Sequence, residues 1–274
     1  TQAPKKSNRG QKLNTSPIHK CAENLKLIIR NPKNLNSEEE LAFIKKLNPD
    51  IVIVVAYGQL ISEEFLNIVK NGFINIHASL LPKWRGAAPI QRSIMNSDNE
   101  TGISIMKISK ELDAGPVMKK IKIKIDETTT ADDLSKNLSK ISSDAIIQIL
   151  DEIFDKKSKF IEQNHNLATY AKKIKKSEAK INWNENAKKI LAKINGLNPD
   201  PGAWFLHKET RYKIWKAKIL DKKGPIGVIL DSNFTIGCKD KSLEIIEIQK
   251  EGKNKLQLKN FLRGINFQQG DEVN

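Results

Sequence analysis

Hydrophobic positions change period along this chain, and the changes mark out its elements. The first twenty residues set Pro4, Gly10 and Pro17 among Lys5, Lys6, Arg9, Lys12 and Lys20 with almost no apolar pattern, and read as an exposed basic loop. Ser37 is placed to cap a helix: Glu38, Glu39 and Glu40 fill its first turn, and Leu41, Ile44 and Leu47 share one face. The run from Ile51 through Val55 to Gly58 is dominated by β-branched residues and predicts a strand buried on both faces. Ser62 then opens a second helix that runs to Val69 and stops at Gly72; residues 73–79 form a second strand. A helix over about 89–95, strands over 102–108 and 117–125, and a longer helix over 132–154 continue the alternation. Such alternation predicts an α/β fold with a doubly wound, mostly parallel sheet covered on both faces.

Beyond residue 158 the texture changes. Residues 159–180 are polar and lysine-dense, and read as a linker. One helix is predicted over 181–197, stopped by Asn198-Pro199-Asp200-Pro201-Gly202. Short alternating runs follow at 203–207, 211–220, 226–230, 234–238 and 242–249, and five short strands at such spacing predict a small OB-like β-barrel. The expected division is a catalytic domain over 1–158, the linker over 159–180, and the barrel domain over 181–274.

Length agrees with two domains: 274 residues and 31.0 kDa exceed one typical domain. Mean hydropathy is −0.47 and no segment has the uninterrupted apolar length of a membrane span, so no membrane partner is expected. The N-terminus has no apolar signal region, and Cys21 and Cys238 give neither a disulfide framework nor a zinc spacing, so a reducing, cytoplasmic setting is the default. The net charge is +15, from 47 basic and 32 acidic residues. Only six of the basic residues are Arg, so part of the excess is explained by lysine-rich solvated faces alone. Its distribution is more informative. Residues 1–158 carry 24 basic and 19 acidic side chains, and residues 159–274 carry 23 and 13, which concentrates a net +10 in the shorter part. A basic C-terminal part fits a polyanion partner such as nucleic acid.

The segment Asn75-Ile76-His77-Ala78-Ser79-Leu80-Leu81-Pro82 carries the chemistry. In a strand, residues two apart share a face, so Asn75, His77 and Ser79 project together, opposite Ile74, Ile76 and Ala78. Polar groups at alternate positions of a buried strand are costly without a partner or a task. Here they fall at the end of a strand, where open α/β sheets place ligands. A proline-bounded loop with Arg85 follows, and Asp113 sits in the turn Leu112-Asp113-Ala114-Gly115, where an Asp also serves as ordinary turn chemistry.

Asn-x-His followed by Ser-Leu-Leu-Pro, then Arg85-Gly86-Ala87 with Pro89, then Leu112-Asp113-Ala114-Gly115, resembles the formyltransferases that use 10-formyltetrahydrofolate. Over the whole chain the similarity is to the methionyl-tRNA formyltransferases. Its further motifs are Val55-Ala56-Tyr57-Gly58, Arg9-Gly10-Gln11-Lys12-Leu13, Ile181-Asn182-Trp183, Leu197-Asn198-Pro199, Lys213-Ile214-Trp215-Lys216-Ala217 and Phe261-Leu262-Arg263-Gly264. The family's first strand, first helix and second strand have no counterpart, so roughly the first thirty residues of a doubly wound member are expected to be missing. The turn reads Asp-Ala-Gly where Asp-Thr-Gly is also common, with the carboxylate retained.

The resemblance implies transfer of a formyl group from 10-formyltetrahydrofolate, a co-substrate, to the α-amine of methionyl initiator tRNA. It implies Asn75, His77 and Asp113 as catalytic residues, the first two as oxyanion donors and the third as proton shuttle. Tyr57, Gly58, Ser79, Leu80, Leu81 and Pro82 are then the folate-binding residues, with Leu80 and Leu81 partly exposed at a pocket wall. Lys5, Lys6, Arg9 and Lys12 are expected to hold tRNA, while Arg85 is undecided between phosphate and the folate glutamate. No metal is required: His19, His165 and His207 lack ligand spacing. A monomer is expected. Three alternatives stay open: a formyltransferase for a small amine such as a nucleotide or amino-sugar, a folate-dependent hydrolase, and a non-catalytic RNA-binding protein.

Overall fold

The computed structural model describes residues 1–7, 12–264 and 267–274. The chain forms two compact units. One comprises Thr1–His77, Ser104–Lys120 and Ile147–Leu167; the other comprises Ala78–Ile103, Ile121–Ile146 and Ala168–Asn274.

The first unit opens with β1 (Lys5–Ser7) and β2 (Lys12–Asn14), paired antiparallel, and α1 (Pro17–Asn24). Among the described residues the expected basic loop thus contains two short strands and the start of a helix. Pro17 is the reason the sequence misleads: it reads as a breaker but sits in the first turn, where its missing N–H costs nothing, and Ser16 accepts from the His19 backbone N–H at 3.1 Å. Helix α2 (Glu38–Leu47) starts as expected, with Ser37 accepting from the Glu40 N–H. Strand β3 (Val52–Val54) is shorter than the run 51–58, because Ala56 at φ 48° and Gly58 at φ 76° leave the extended region. It is half-buried rather than enclosed, being the end strand of its sheet among the described residues. Helix α3 (Glu63–Asn67) begins after Ser62 without a side-chain cap hydrogen bond and ends early, two residues short of Val69. Strand β4 (Phe73–His77) follows.

The chain next forms β5 (Arg85–Gly86) and α4 (Pro89–Met95), then β6 (Glu100–Lys107), β7 (Val117–Lys124) and α5 (Ala131–Phe154). The sheet order is β3-β4-β6-β7. It is mixed. Strand β4 pairs parallel with β3, Ile53 opposite Ile74, and antiparallel with β6, His77 opposite Ser104. Leu41, Phe65, Val69 and Phe73 form the buried centre of a cluster joining α2, α3 and β4.

In the second unit β5 pairs parallel with β8 (Tyr170–Ala171). Helix α6 (Ala187–Gly196) begins six residues later than the sequence predicts. Residues 181–186 are not helical: Ile181 donates its N–H to the Trp204 carbonyl, a turn closed by Glu185 N–H to the Asn182 carbonyl follows, and Ile181 and Trp183 are both buried. Strands β9 (Ala203–His207), β10 (Thr210–Leu220), β11 (Thr235–Gly237), β12 (Ser242–Lys250) and β13 (Leu256–Gln257) make an antiparallel sheet of order β11-β12-β10-β9, with β13 on β12, before α7 (Leu258–Phe261). Register shifts at Ile214/Lys216 and Lys216/Ala217 curl β10 into a half-barrel. The predicted strand over 226–230 forms only isolated bridges, interrupted by Gly227 at φ 70°. The barrel core gathers Ile190, Ile194, Phe205, Tyr212, Phe234, Leu243 and Ile248. Among the described residues no helix is long and apolar enough to cross a membrane.

Candidate active site

Strand β4 is buried at Ile74 and Ile76, and its alternation sends Asn75 and His77 to the opposite face. Asp113 meets them there. The Asn75 Nδ2 donates to Asp113 Oδ1 at 3.5 Å, and His77 Nδ1 lies 3.6 Å from Asp113 Oδ2. The His77 side chain is 7% exposed and that of Asp113 is 15% exposed, so the carboxylate is shielded but not sealed. Both contacts are long for hydrogen bonds.

The turn that delivers Asp113 is tight. Asp113 adopts φ 48°, in the left-handed region that non-glycine residues rarely occupy. A Cβ on Gly115 would lie 2.1 Å from the Lys107 carbonyl oxygen, so the turn packs against the end of β6 only because that position is glycine. The Gln163 carboxamide completes the arrangement by donating to the carbonyls of Asp113 and Gly115 at 2.9 and 2.7 Å. Gln163 is not legible in the sequence, because it lies in a polar stretch with no periodicity.

The other expected site residues fall in several places. Tyr57 accepts at its carbonyl from Gln2 Nε2, and burial, with the Glu40 charge, pushes its phenol above the ordinary range. Gly58 follows at φ 76°. Ser79 is fully buried, and its hydroxyl donates to the Lys83 carbonyl at 2.6 Å, closing the loop after β4. Leu80 and Pro82 are half-buried. Leu81 is 0% exposed and belongs to the core, which corrects the expectation that both leucines stand partly exposed. Arg85 is also buried, at 2% exposure, so its guanidinium is not presented to solvent for a phosphate. Lys5 is exposed and donates to Gln2 Oε1; Lys6 lies opposite Leu13 and Lys12 opposite Ser7 in the β1–β2 pair. Arg9 lies outside the described residues. Among the described residues no group of three or more His, Cys, Asp or Glu side chains is arranged to hold a metal ion.

The profile of the family described as "Formyl transferase" matches residues 1–150, and that described as "Formyl transferase, C-terminal domain" matches residues 173–266. A methionyl-tRNA formyltransferase of Pelagibacter ubique is 52% identical over 275 aligned positions, covering 100% of this chain and 89% of that protein. The chain belongs to the methionyl-tRNA formyltransferase family. A methionyl-tRNA formyltransferase of Bradyrhizobium diazoefficiens is 38% identical, with 98% of this chain and 88% of that protein covered. The methionyl-tRNA formyltransferase of Clostridium thermocellum has the same fold, with a TM-score of 0.56 at 22% identity over 83% of this chain and 92% of that one.

The half-barrel of this family member carries a second feature. Strand alternation turns Phe205, Tyr212 and Ile214 into the core and leaves Trp204, Arg211 and Lys213 on the outer face. The Arg211 guanidinium lies 4.2 Å and the Lys180 ammonium 5.9 Å from the Trp204 ring centroid. Lys213 and Lys255 lie 5.5 and 5.7 Å from the Trp215 centroid. Gly202, at φ 81°, seats Trp215; a Cβ there would fall 2.6 Å from Trp215 Cη2. The charge excess predicted this basic character, but not which residues share the face. Arg211, Lys213, Gln249, Glu251 and Gly252 line a shallow cavity of about 230 Å³ on it.

Proposed function

We propose that this chain transfers the formyl group of 10-formyltetrahydrofolate to the α-amine of methionine esterified to initiator tRNA, as a soluble cytoplasmic monomer. The observation that carries the reading is the convergence of a carboxamide, an imidazole and a carboxylate, with the Asp113 oxygens within 3.6 Å of both partners, in a chain of this family. That donor set suits the reaction. 10-formyltetrahydrofolate supplies an electrophilic formyl carbon. As the amine adds to it, Asn75 Nδ2–H and a ring N–H of His77 donate to the formyl oxygen, where negative charge gathers. Preorganised donors of this kind contribute about 3–4 kcal/mol each in other acyl transfers. Asp113 accepts the proton that the attacking amine must lose, directly or through a water, and a proton passes to N10 as the formyl C–N10 bond breaks and tetrahydrofolate leaves. None of these steps needs a nucleophilic side chain.

Tyr57, Gly58 and the loop Ser79 to Pro82 are the folate-binding residues in this reading. Leu80 faces the ligand, Ser79 fixes the loop's shape through Lys83, and Leu81 supports it from beneath. Lys5, Lys6, Arg9 and Lys12 hold the tRNA end that carries the amine. The cationic face around Trp204, Arg211 and Lys213 holds another part of the tRNA. The catalytic domain is taken as 1–158, joined through 159–180 to the tRNA-binding domain at 181–274. Turnover with 10-formyltetrahydrofolate and methionyl-tRNA tests this directly. Formylation of a nucleotide or amino-sugar in preference to methionyl-tRNA, or formate release without any acceptor, would replace the reading.

A further inference from the structure

Gln163 lies in a stretch whose sequence reads as linker, yet it is 7% exposed and its carboxamide donates to two backbone carbonyls. Register explains its position. Val117 and Ile161 form an antiparallel bridge, exchanging both N–H···O bonds at 2.8 and 2.9 Å. Two residues outward from that bridge on each side, Gln163 comes beside Gly115, whose carbonyl it bonds. The two carbonyls it holds, of Asp113 and Gly115, bracket the turn in which Asp113 takes its left-handed conformation. Such conformations persist only when their surroundings over-determine them. We infer that Gln163 is a positioning residue for formyl transfer: its NH2 group clamps both ends of the Asp113–Gly115 turn and so aims the Asp113 carboxylate at Asn75 and His77. The inference rests on the proposed role of Asp113 as proton acceptor.

The clamp needs two N–H donors. Gln163→Met keeps the length and removes them; Gln163→Glu keeps the shape and sets a carboxylate against two carbonyl oxygens. The full chain and both variants are assayed for formylation of methionyl-tRNA, with kcat expressed per folded molecule from the amplitude of the thermal melt. The expected result is a kcat lower by about 10- to 100-fold, because small misplacements of a reacting group cost that much. KM for both substrates should stay within about two-fold, since the interaction acts in the transition state. In the Asp113→Asn background, Gln163→Met should change kcat by less than about three-fold, because residues acting through one another are not additive. Equal losses in both backgrounds overturn the inference. So does a lowered melting temperature with unchanged kcat per folded molecule, or failure of both variants to fold, each of which makes Gln163 a stabilising residue only. An inactive wild-type chain removes the formyltransferase reading itself and the inference with it; an active wild type with additive variants removes only the role of Gln163.

Discussion

Leu81→Ala separates core from pocket in the Ser79 to Pro82 loop. Leu81 is 0% exposed, so the substitution deletes buried carbon with no solvent to refill the space. Three carbon groups at about 0.8 kcal/mol each give ~2.4 kcal/mol of lost transfer energy. A residual cavity of some tens of Å³, at about 24 cal/mol per Å³, adds roughly 1 kcal/mol. The total of about 3–4 kcal/mol lies inside the usual range for Leu→Ala in a core. In a chain this long each kcal/mol lowers the melting temperature by about 2 °C, so a drop of about 6–8 °C is expected by calorimetry. Leu80 serves as the control. It is half-buried, and Leu80→Ala should lower the melting temperature by no more than about 2 °C while raising KM for the folate substrate. A Leu81→Ala protein that melts with the wild type but loses folate affinity would show that this side chain touches the ligand and does not belong to the core.

Three further outcomes are expected. His77→Ala should lower kcat by about 10²- to 10³-fold with little change in either KM, as for other transition-state donors; retention of more than a few per cent of kcat contradicts the donor role. Replacing Arg211 and Lys213 together with Ala should flatten the dependence of log tRNA affinity on log salt by about 0.7–0.9 for each phosphate no longer neutralised, read by filter binding across a salt series; an unchanged slope takes the Trp204 face out of the tRNA site. In the second unit, the Arg92 guanidinium bonds Glu178 at 2.7 and 3.1 Å and holds its carboxyl below the usual range. A depressed carboxylate stabilises fully above the unfolded value and loses that contribution as pH falls through the folded value. Glu178→Gln should therefore cost about 1 kcal/mol at neutral pH and nothing in strong acid, and a cost that persists in strong acid would mean the ion pair is not its source.

Elements governed by one local signal were legible before folding. Ser37 before three glutamates produced α2, the Pro89 start of α4 and the long amphipathic α5 fell close to their predicted spans, and alternation assigned β9, β10 and β12. Asn75 and His77 were legible as a pair because a period of two is a property of any strand. Their meeting with Asp113 was implied only through family resemblance. Distance along the chain hides it, and the left-handed turn at Asp113 is enforced by packing against β6. Long-range packing fixed the rest. The run at 51–58 has the composition of an enclosed strand, but burial depends on neighbours, and β3 ends the described sheet half-buried. Leu80 and Leu81 are the same residue type side by side, and only the path of the loop makes one a wall and the other core. Gln163 gave no sequence signal at all, because its place is set by an antiparallel bridge between segments 44 residues apart, at Val117 and Ile161. Local patterns report what a residue's immediate backbone favours; which surfaces meet is settled by the packing of the whole chain.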